Sequence, residues 1–451
     1  MIKYDSLYIC FPSSSCKKYL YLNNLLKIEI MKELLSFLLL LTLPWLSNAQ
    51  QFVANYDEAK VPLYTLPNPL IFNNGTAVTN KKDWQKRRAE IYSIFETEVF
   101  GVIPQWDGSA NATLISRKTD ALDGIAIRKE VRLELVKGDL KVPVIILIYL
   151  PQNSKNAPIF LSYNFDGNHT TTNETDVLLP DSWVNNSKEN AISDNKANEN
   201  GRGSSLTRWP MKEIIKQGFG VATAYYGDID PDFNDGFKNG IHQLFDSMRD
   251  STSWGSIAAW SWGLSRIMDY LETDKEINSK RVIVMGHSRL GKTSLWAGAS
   301  DQRFAMTISN NSGCGGAALS RRKFGETVGR INNSFPHWFC NNFKKYNNKE
   351  ELLPVDQHEL LALIAPRPVY VASAAEDLWA DPKGEFLSCV FASPVYELLG
   401  LKGFPTKEMP ALSEPILGTI SYHIRPGKHD VTLYDWQCYM NFASQYFKFK
   451  K

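Results

Sequence analysis

Arg281 to Ala299, RVIVMGHSRLGKTSLWAGA, holds the residues best placed for covalent chemistry. Val282 to Met285 is a short apolar run rich in β-branched residues, the pattern of a buried parallel strand. Gly286 closes the run, His287 and Ser288 fall in a turn, and from Leu290 onward Leu295, Trp296 and Ala299 recur on one helical face. A serine between small residues, at a strand end and a helix start, is the layout of a nucleophile elbow. The turn lifts the hydroxyl clear of the sheet, and the helix N-terminus favours negative charge developing beside it. The glycine spacing is G-x-S-x-x-G (Gly286, Ser288, Gly291) rather than the usual G-x-S-x-G. The competing structural reading is a serine that merely caps a helix after a core strand.

A serine hydroxyl is a weak nucleophile near neutral pH and needs a base held by a third group. On an α/β-hydrolase scaffold the chain order is nucleophile, acid, histidine. Of seven histidines, His337, His358, His423 and His429 follow Ser288. His429 lies in RPGKHD, after the last expected strand and before the closing helix, where the base belongs; His423, inside that strand, is the less favoured alternative. The acid should follow a late strand. Asp377 stands at the end of the run Val369 to Ala375, with Glu376 and Asp381 as competitors. Lys292, four residues after Ser288, faces the same side of the helix. With Arg289 it would place two cations at the mouth, suited to an anionic or polyhydroxylated acyl group. The Arg289 backbone N–H is also the expected oxyanion donor, of a kind worth about 3–4 kcal/mol in the transition state.

The remaining chain supplies the scaffold. A helix is expected over 82–100, with Trp84, Ile91, Phe95 and Val99 as its stripe. Strands are expected at 126–136, 142–149, 158–163, 220–225, 282–285, 304–309, 368–375 and 420–424. Helices are expected at 209–218, 257–270, 386–399 and 433–447. Strands alternating with helices after an antiparallel start predict an α/β-hydrolase fold, a three-layer αβα sandwich with a mostly parallel sheet. Residues 166–207 are polar and aperiodic and read as a long loop on the catalytic edge of the sheet. Asp228, Asp230 and Asp232 only superficially resemble a calcium loop, because the closing glutamate is missing, so no metal is expected.

The 451 residues are 43% hydrophobic and 22% charged, enough for a large core. A formal net charge of +2 without a polybasic run gives no indication of a nucleic-acid partner. Met31 opens a secretory signal pattern: Lys32, an apolar run from Leu34 to Leu46, then Ser47-Asn48-Ala49 as cleavage site. Residues 1–30 read as an upstream extension, 31–49 as the signal peptide and 50–451 as one domain. Export to the periplasm or outside the cell is expected, with no membrane span after signal removal and a monomeric product. Cys314, Cys340, Cys389 and Cys438 are too few and scattered for a disulfide framework or zinc site.

GHSRLGKTSLWAGA, with arginine directly after the serine and lysine four on, resembles the glucuronoyl esterases of carbohydrate esterase family 15, bacterial branch. The resemblance extends through RWPMKEIIKQGFGVATAYYGDIDPDF, SNNSGCGGAALSRRKFGETVGRIN, SAAEDLWADPKGEF and GKHDVTLYDW. It implies cleavage of the ester between 4-O-methyl-glucuronate on xylan and lignin alcohols, without metal or organic cofactor. It implies Ser288 as nucleophile, His429 as base and Arg289 at the oxyanion, with Lys292, Glu326 and Trp379 on the glucuronate hydroxyls. Many members carry the acid just after the strand that follows the elbow; Asn311 stands there in this chain, so Asp377 is the expected acid. Fungal members have a disulfide-bonded cysteine where His287 stands. Two other readings remain: an acetyl-xylan or other carbohydrate esterase, and a catalytically silent carbohydrate-binding protein on the same fold.

Overall fold

Alternation along the central strands decides how the layers assemble. In a strand successive side chains point to opposite faces. Within Ile277–His287, Val282 and Val284 belong to one apolar cluster and Ile283 and Met285 to another, all buried. A strand apolar on both faces requires cover on both. The computed structural model describes residues 28–33, 52–245 and 248–447. The chain divides into Met1–Val53, of which residues 28–33 are helical, and a compact unit Ala54–Lys451. The apolar run and cleavage site of the expected signal peptide, and most of the upstream extension, lie outside the described residues.

Nine strands form one sheet: β1 (Ser109–Asp120), β2 (Ala126–Lys137), β3 (Leu140–Pro151), β4 (Ala157–Asn164), β5 (Gly220–Tyr225), β6 (Ile277–His287), β7 (Met306–Asn310), β8 (Val369–Ala374) and β9 (Ile420–Arg425). Their order is β1-β2-β3-β5-β4-β6-β7-β8-β9. The pairs from β1 to β3 and the β3–β5 pair are antiparallel; every later pair is parallel. The helices are α1 (Lys81–Phe95), α2 (Met211–Lys216), α3 (Ser256–Leu271), α4 (Arg289–Ser300), α5 (Val328–Ser334), α6 (Gln357–Ala362), α7 (Pro382–Leu398) and α8 (Leu433–Phe447). Ile91, Ile257, Trp296 and Phe386 bring α1, α3, α4 and α7 onto the face that holds Val284 and Val371. Ile214, Trp436 and Tyr439 bring α2 and α8 onto the face of Ile283, Ile308 and Tyr370. This is the three-layer α/β-hydrolase arrangement.

Two local features depart from the sequence reading. Strand β1 was not foreseen: an edge strand exposed at most positions carries no apolar alternation to read. Helices α5 and α6 were also not foreseen, being only 7 and 6 residues long. The loop 166–207 is fastened both by buried Val177, Val184 and Ile192 and by charge. The buried Arg128 guanidinium donates to Asp176 (2.7 Å) and Glu174 (3.0 Å), and Arg202 Nη1 donates to the Glu174 carbonyl (2.9 Å).

Candidate active site

The parallel strands end on one edge, and each expected catalytic side chain leaves from that edge. Ser288 follows β6 at φ 57° and ψ −128°, a conformation that costs a non-glycine residue about 1–3 kcal/mol and persists only when the surroundings impose it. The surroundings here are tight. The Ser288 N–H donates to the Asn310 carbonyl of β7 (2.9 Å), while the Ser288 carbonyl accepts from Gly291 (2.9 Å) and Lys292 (3.2 Å). A Cβ on Gly286 would lie 1.8 Å from the Leu290 carbonyl oxygen, so only glycine lets α4 turn back this sharply.

Asp377, three residues past the end of β8, is buried, and its Oδ2 lies 2.5 Å from His429 Nδ1. A carboxylate only accepts, so Nδ1 carries the proton and Nε2 is left as the basic nitrogen. The two competing acids separate cleanly. Glu376 is exposed. Asp381 caps α7 at the Gly384 N–H (2.9 Å) and receives Arg322 Nε (2.8 Å). His423 is fully buried, with Nδ1 on the Tyr370 hydroxyl (2.9 Å) and Nε2 on Asp435 (2.9 Å), so neither nitrogen is available. Asn311 donates through Nδ2 to the same Asp377 oxygen (3.1 Å) that His429 uses. The side chain at the vacant acid position therefore touches the carboxylate that serves the histidine.

His287 packs its ring 4.5 Å from that of His429. Its Nδ1 lies 2.7 Å from Asn310 Oδ1, and Asn310 Nδ2 donates to Asp435 (3.3 Å) and the Tyr439 hydroxyl (2.8 Å). With the amide oriented by Asp435, Oδ1 must accept, so His287 Nδ1 is protonated. Burial, reinforced by the neighbouring His429 and Arg208, holds His287 well below the usual histidine range and hence neutral.

The cations after the serine are less free than the sequence suggested. The Arg289 guanidinium is ion-paired with Asp232 and lies over the Trp338 ring at 4.8 Å. Asp232 also accepts from Trp338 Nε1 (2.7 Å) and the Tyr226 hydroxyl (2.9 Å) and lies 2.8 Å from His337 Nε2. Burial opposes ionisation of Asp232, but the bonds from His337 and Trp338 and the Arg289 charge outweigh it and hold the carboxyl well below the usual range. Arg289 Nε is buried with no hydrogen-bond partner in the described residues, a donor left over. Asp232 was weighed in the sequence only as a calcium-loop member; its pairing with Arg289, 57 residues away, has no local signal.

Lys292 is buried, with Nζ 2.5 Å from the Ser312 carbonyl and 4.0 Å from Glu326 Oε2. Burial pushes Lys292 down and Glu326 up, and in each case it outweighs the attraction between them. A pair this long leaves hydrogen-bonding capacity on both groups. The Trp379 side chain hydrogen-bonds Glu326, and the Trp379 carbonyl accepts from the Glu326 N–H (3.0 Å). Of the residues named from the sequence, Asp377 contacts His429, and Lys292, Glu326 and Trp379 form a second group; Ser288 stands at the end of β6 on the same sheet edge. No group of three or more potential metal ligands occurs among the described residues.

Comparison with known proteins gives the family. Residues 208–400 match the family described as glucuronyl esterase, fungi. A solved CE15 esterase, described as promiscuous and from a marine bacterial metagenome, is 52% identical with a TM-score of 0.83, covering 87% of this chain and 99% of that one. The glucuronoyl esterase of Solibacter usitatus is 47% identical with a TM-score of 0.80, covering 86% and 99%. The 4-O-methyl-glucuronoyl methylesterase of Phanerochaete carnosa is 29% identical over 81% of this chain and 82% of its own length. The chain belongs to the glucuronoyl esterases of carbohydrate esterase family 15 and is a carboxylic ester hydrolase.

Proposed function

We propose that this protein is an exported serine esterase that cleaves the ester joining 4-O-methyl-glucuronate on xylan to a lignin alcohol. The observation that carries the reading is the 2.5 Å contact of Asp377 with His429 Nδ1, which leaves Nε2 as the base on the sheet edge where the strained Ser288 stands. Ser288 Oγ attacks the glucuronoyl carbonyl while its proton passes to His429 Nε2. The oxyanion is met by the Arg289 backbone N–H, at a helix start with no intrahelical acceptor, and by the Arg289 guanidinium. Collapse breaks the carbonyl–O(alcohol) bond, and His429 returns the proton to the departing alcohol. Water then attacks the acyl-enzyme with the same histidine as base, releasing glucuronate and restoring the Ser288 hydroxyl.

Lys292 and Glu326 supply the uronate selectivity. Nζ can donate to a sugar hydroxyl that in turn donates to the carboxylate, completing a pair that is too long by itself, while Trp379 offers the ring an apolar face. This reaction needs no metal or organic cofactor. Export rests on the signal pattern at 31–49; among the described residues no helix is long and apolar enough to cross a membrane. A second reading, an esterase acting also on acetylated sugars, takes its support from the promiscuity ascribed to the relative at 52% identity.

The test compares hydrolysis of benzyl glucuronate with that of acetylated xylose. The glucuronate ester is expected to be preferred, and Ser288→Ala to abolish its hydrolysis while leaving the circular dichroism spectrum unchanged. Preference for the acetate would overturn the substrate assignment, and activity surviving in Ser288→Ala would overturn the nucleophile.

A further inference from the structure

Asn311, Ser312 and Gly313 form a turn that touches both groups of the site. On one side the Asn311 amide donates to Asp377 Oδ2 (3.1 Å); on the other the Ser312 carbonyl accepts from Lys292 Nζ (2.5 Å). The turn is not a relaxed one: Asn311 has φ 46° and Gly313 has φ 57°. Two consecutive N–H groups, of Ser312 and Gly313, point inward, away from any ladder partner. Left alone in a buried position they would be costly orphan donors.

Both are taken by a residue that the mechanism does not use. Glu385, in the first turn of α7, is fully buried. Its Oε1 accepts from the Ser312 N–H (2.7 Å), the Gly313 N–H (3.0 Å) and the Ser312 hydroxyl (3.2 Å), and its Oε2 is bonded by the Ser373 hydroxyl of β8 (2.6 Å). The helix start that presents Glu385 is itself fixed, by the Asp381 cap and its Arg322 partner. Burial pushes Glu385 up to about 8, so near neutral pH it acts through hydrogen bonds rather than through charge.

We propose that Glu385 is a positioning residue for both halves of the site, clamping the Asn311–Gly313 turn so that Asn311 fixes the triad acid and Ser312 holds the sugar-binding lysine. The inference rests on the roles given above to Asp377 and Lys292. It makes one buried side chain control the turnover step and the binding step together, although it touches neither substrate nor triad.

The test measures kcat and KM for benzyl glucuronate, the inhibition constant of free glucuronate, and the thermal midpoint in four variants. Glu385→Gln keeps an acceptor for the two N–H groups, and the Ser373 hydroxyl can rotate to accept from its amide. It is expected to stay within about threefold of the parent in kcat and KM. Glu385→Asp keeps the carboxyl group but withdraws the acceptor; a displacement of this size at a site is expected to lower kcat about 100-fold. KM and the glucuronate inhibition constant are expected to rise about tenfold in the same variant, the effect of one weakened charge-assisted bond. Asn311→Ala cuts only the arm to Asp377 and should lower kcat with KM unchanged. Lys292→Ala removes the other arm together with the sugar-binding amine and should raise KM and the inhibition constant.

Parent-like kinetics in Glu385→Asp overturn the clamp, and so does a loss confined to kcat or to KM. Activity lost in Glu385→Gln but kept in Glu385→Asp would make charge the cause and overturn it as well. If Glu385→Asp does not fold, the Gln and Asn311→Ala variants still decide: the clamp requires a parent-like Gln variant and a kcat-only loss for Asn311→Ala. Failure of the underlying reading is distinct, because then Lys292→Ala and Asn311→Ala would themselves leave both constants unchanged.

Discussion

Replacing Asp377 by asparagine removes a charge while leaving the hydrogen-bond pattern at His429 nearly intact. Asp377 Oδ2 receives two donors, His429 Nδ1 at 2.5 Å and Asn311 Nδ2 at 3.1 Å. An amide at 377 must turn its oxygen to that corner, because an NH2 group there would face both donors. His429 therefore keeps its proton on Nδ1 and its base on Nε2. What disappears is the attraction between the carboxylate and the imidazolium that forms in the transition state. At about 4 Å between charge centres and an effective dielectric of about 20, that attraction is about 4 kcal/mol. The His429 side chain is 40% exposed, so water screens part of it. A remaining ~2–3 kcal/mol corresponds to a fall in kcat of about 30- to 160-fold, with KM little changed. Steady-state hydrolysis of benzyl glucuronate at pH 7 measures it, with Glu376→Gln, an exposed neighbour, expected near the parent rate. Adding Asn311→Asp to Asp377→Asn returns a negative charge one hydrogen bond farther from the ring and should recover about tenfold. A loss under tenfold in Asp377→Asn, or an equal loss in Glu376→Gln, would refute the assignment of the acid.

Two further outcomes follow from the scaffold. Gly286→Ala places a Cβ 1.8 Å from a backbone oxygen that cannot move without unwinding the start of α4. Calorimetry should show a loss of about 3 kcal/mol, and activity should fall about 100-fold or more through displacement of Ser288. His169, on the segment after β4, is buried with neither ring nitrogen hydrogen-bonded in the described residues. Burial, aided by Arg202 and opposed by Glu199, lowers it from an ordinary 6.5 to about 4. The unfolded chain therefore takes the proton first as pH falls. The stability from the neutral ring is present above pH 6.5 and is lost as pH falls toward about 4. Urea midpoints at pH 7 and pH 4.5 should differ less in His169→Phe than in the parent; an undiminished difference would contradict the account.

The order of most elements, and the placing of Ser288, Asp377 and His429 just past strand ends, were legible in the sequence because each depends on local pattern. A buried strand, a glycine and a helix announce the elbow, and strand ends announce where the acid and base must stand. The same local logic failed where partners are distant or unpatterned. Strand β1 carries no alternation because its surroundings are water, and segment 166–207 is held in part by Arg128 and Arg202, whose carboxylate and carbonyl partners no periodicity marks. The sequence by itself determined the candidates for chemistry: a serine on an elbow, a histidine, a late aspartate and a lysine one turn on. Only the tertiary structure decided how those groups are held. It joined Arg289 to Asp232 of the β5 loop, brought Asn311 onto Asp377, and set Glu385 beneath the turn that links them. The physical reason is that side-chain hydrogen bonds and ion pairs act through space between strand ends, while sequence periodicity reports only which face of an element meets water.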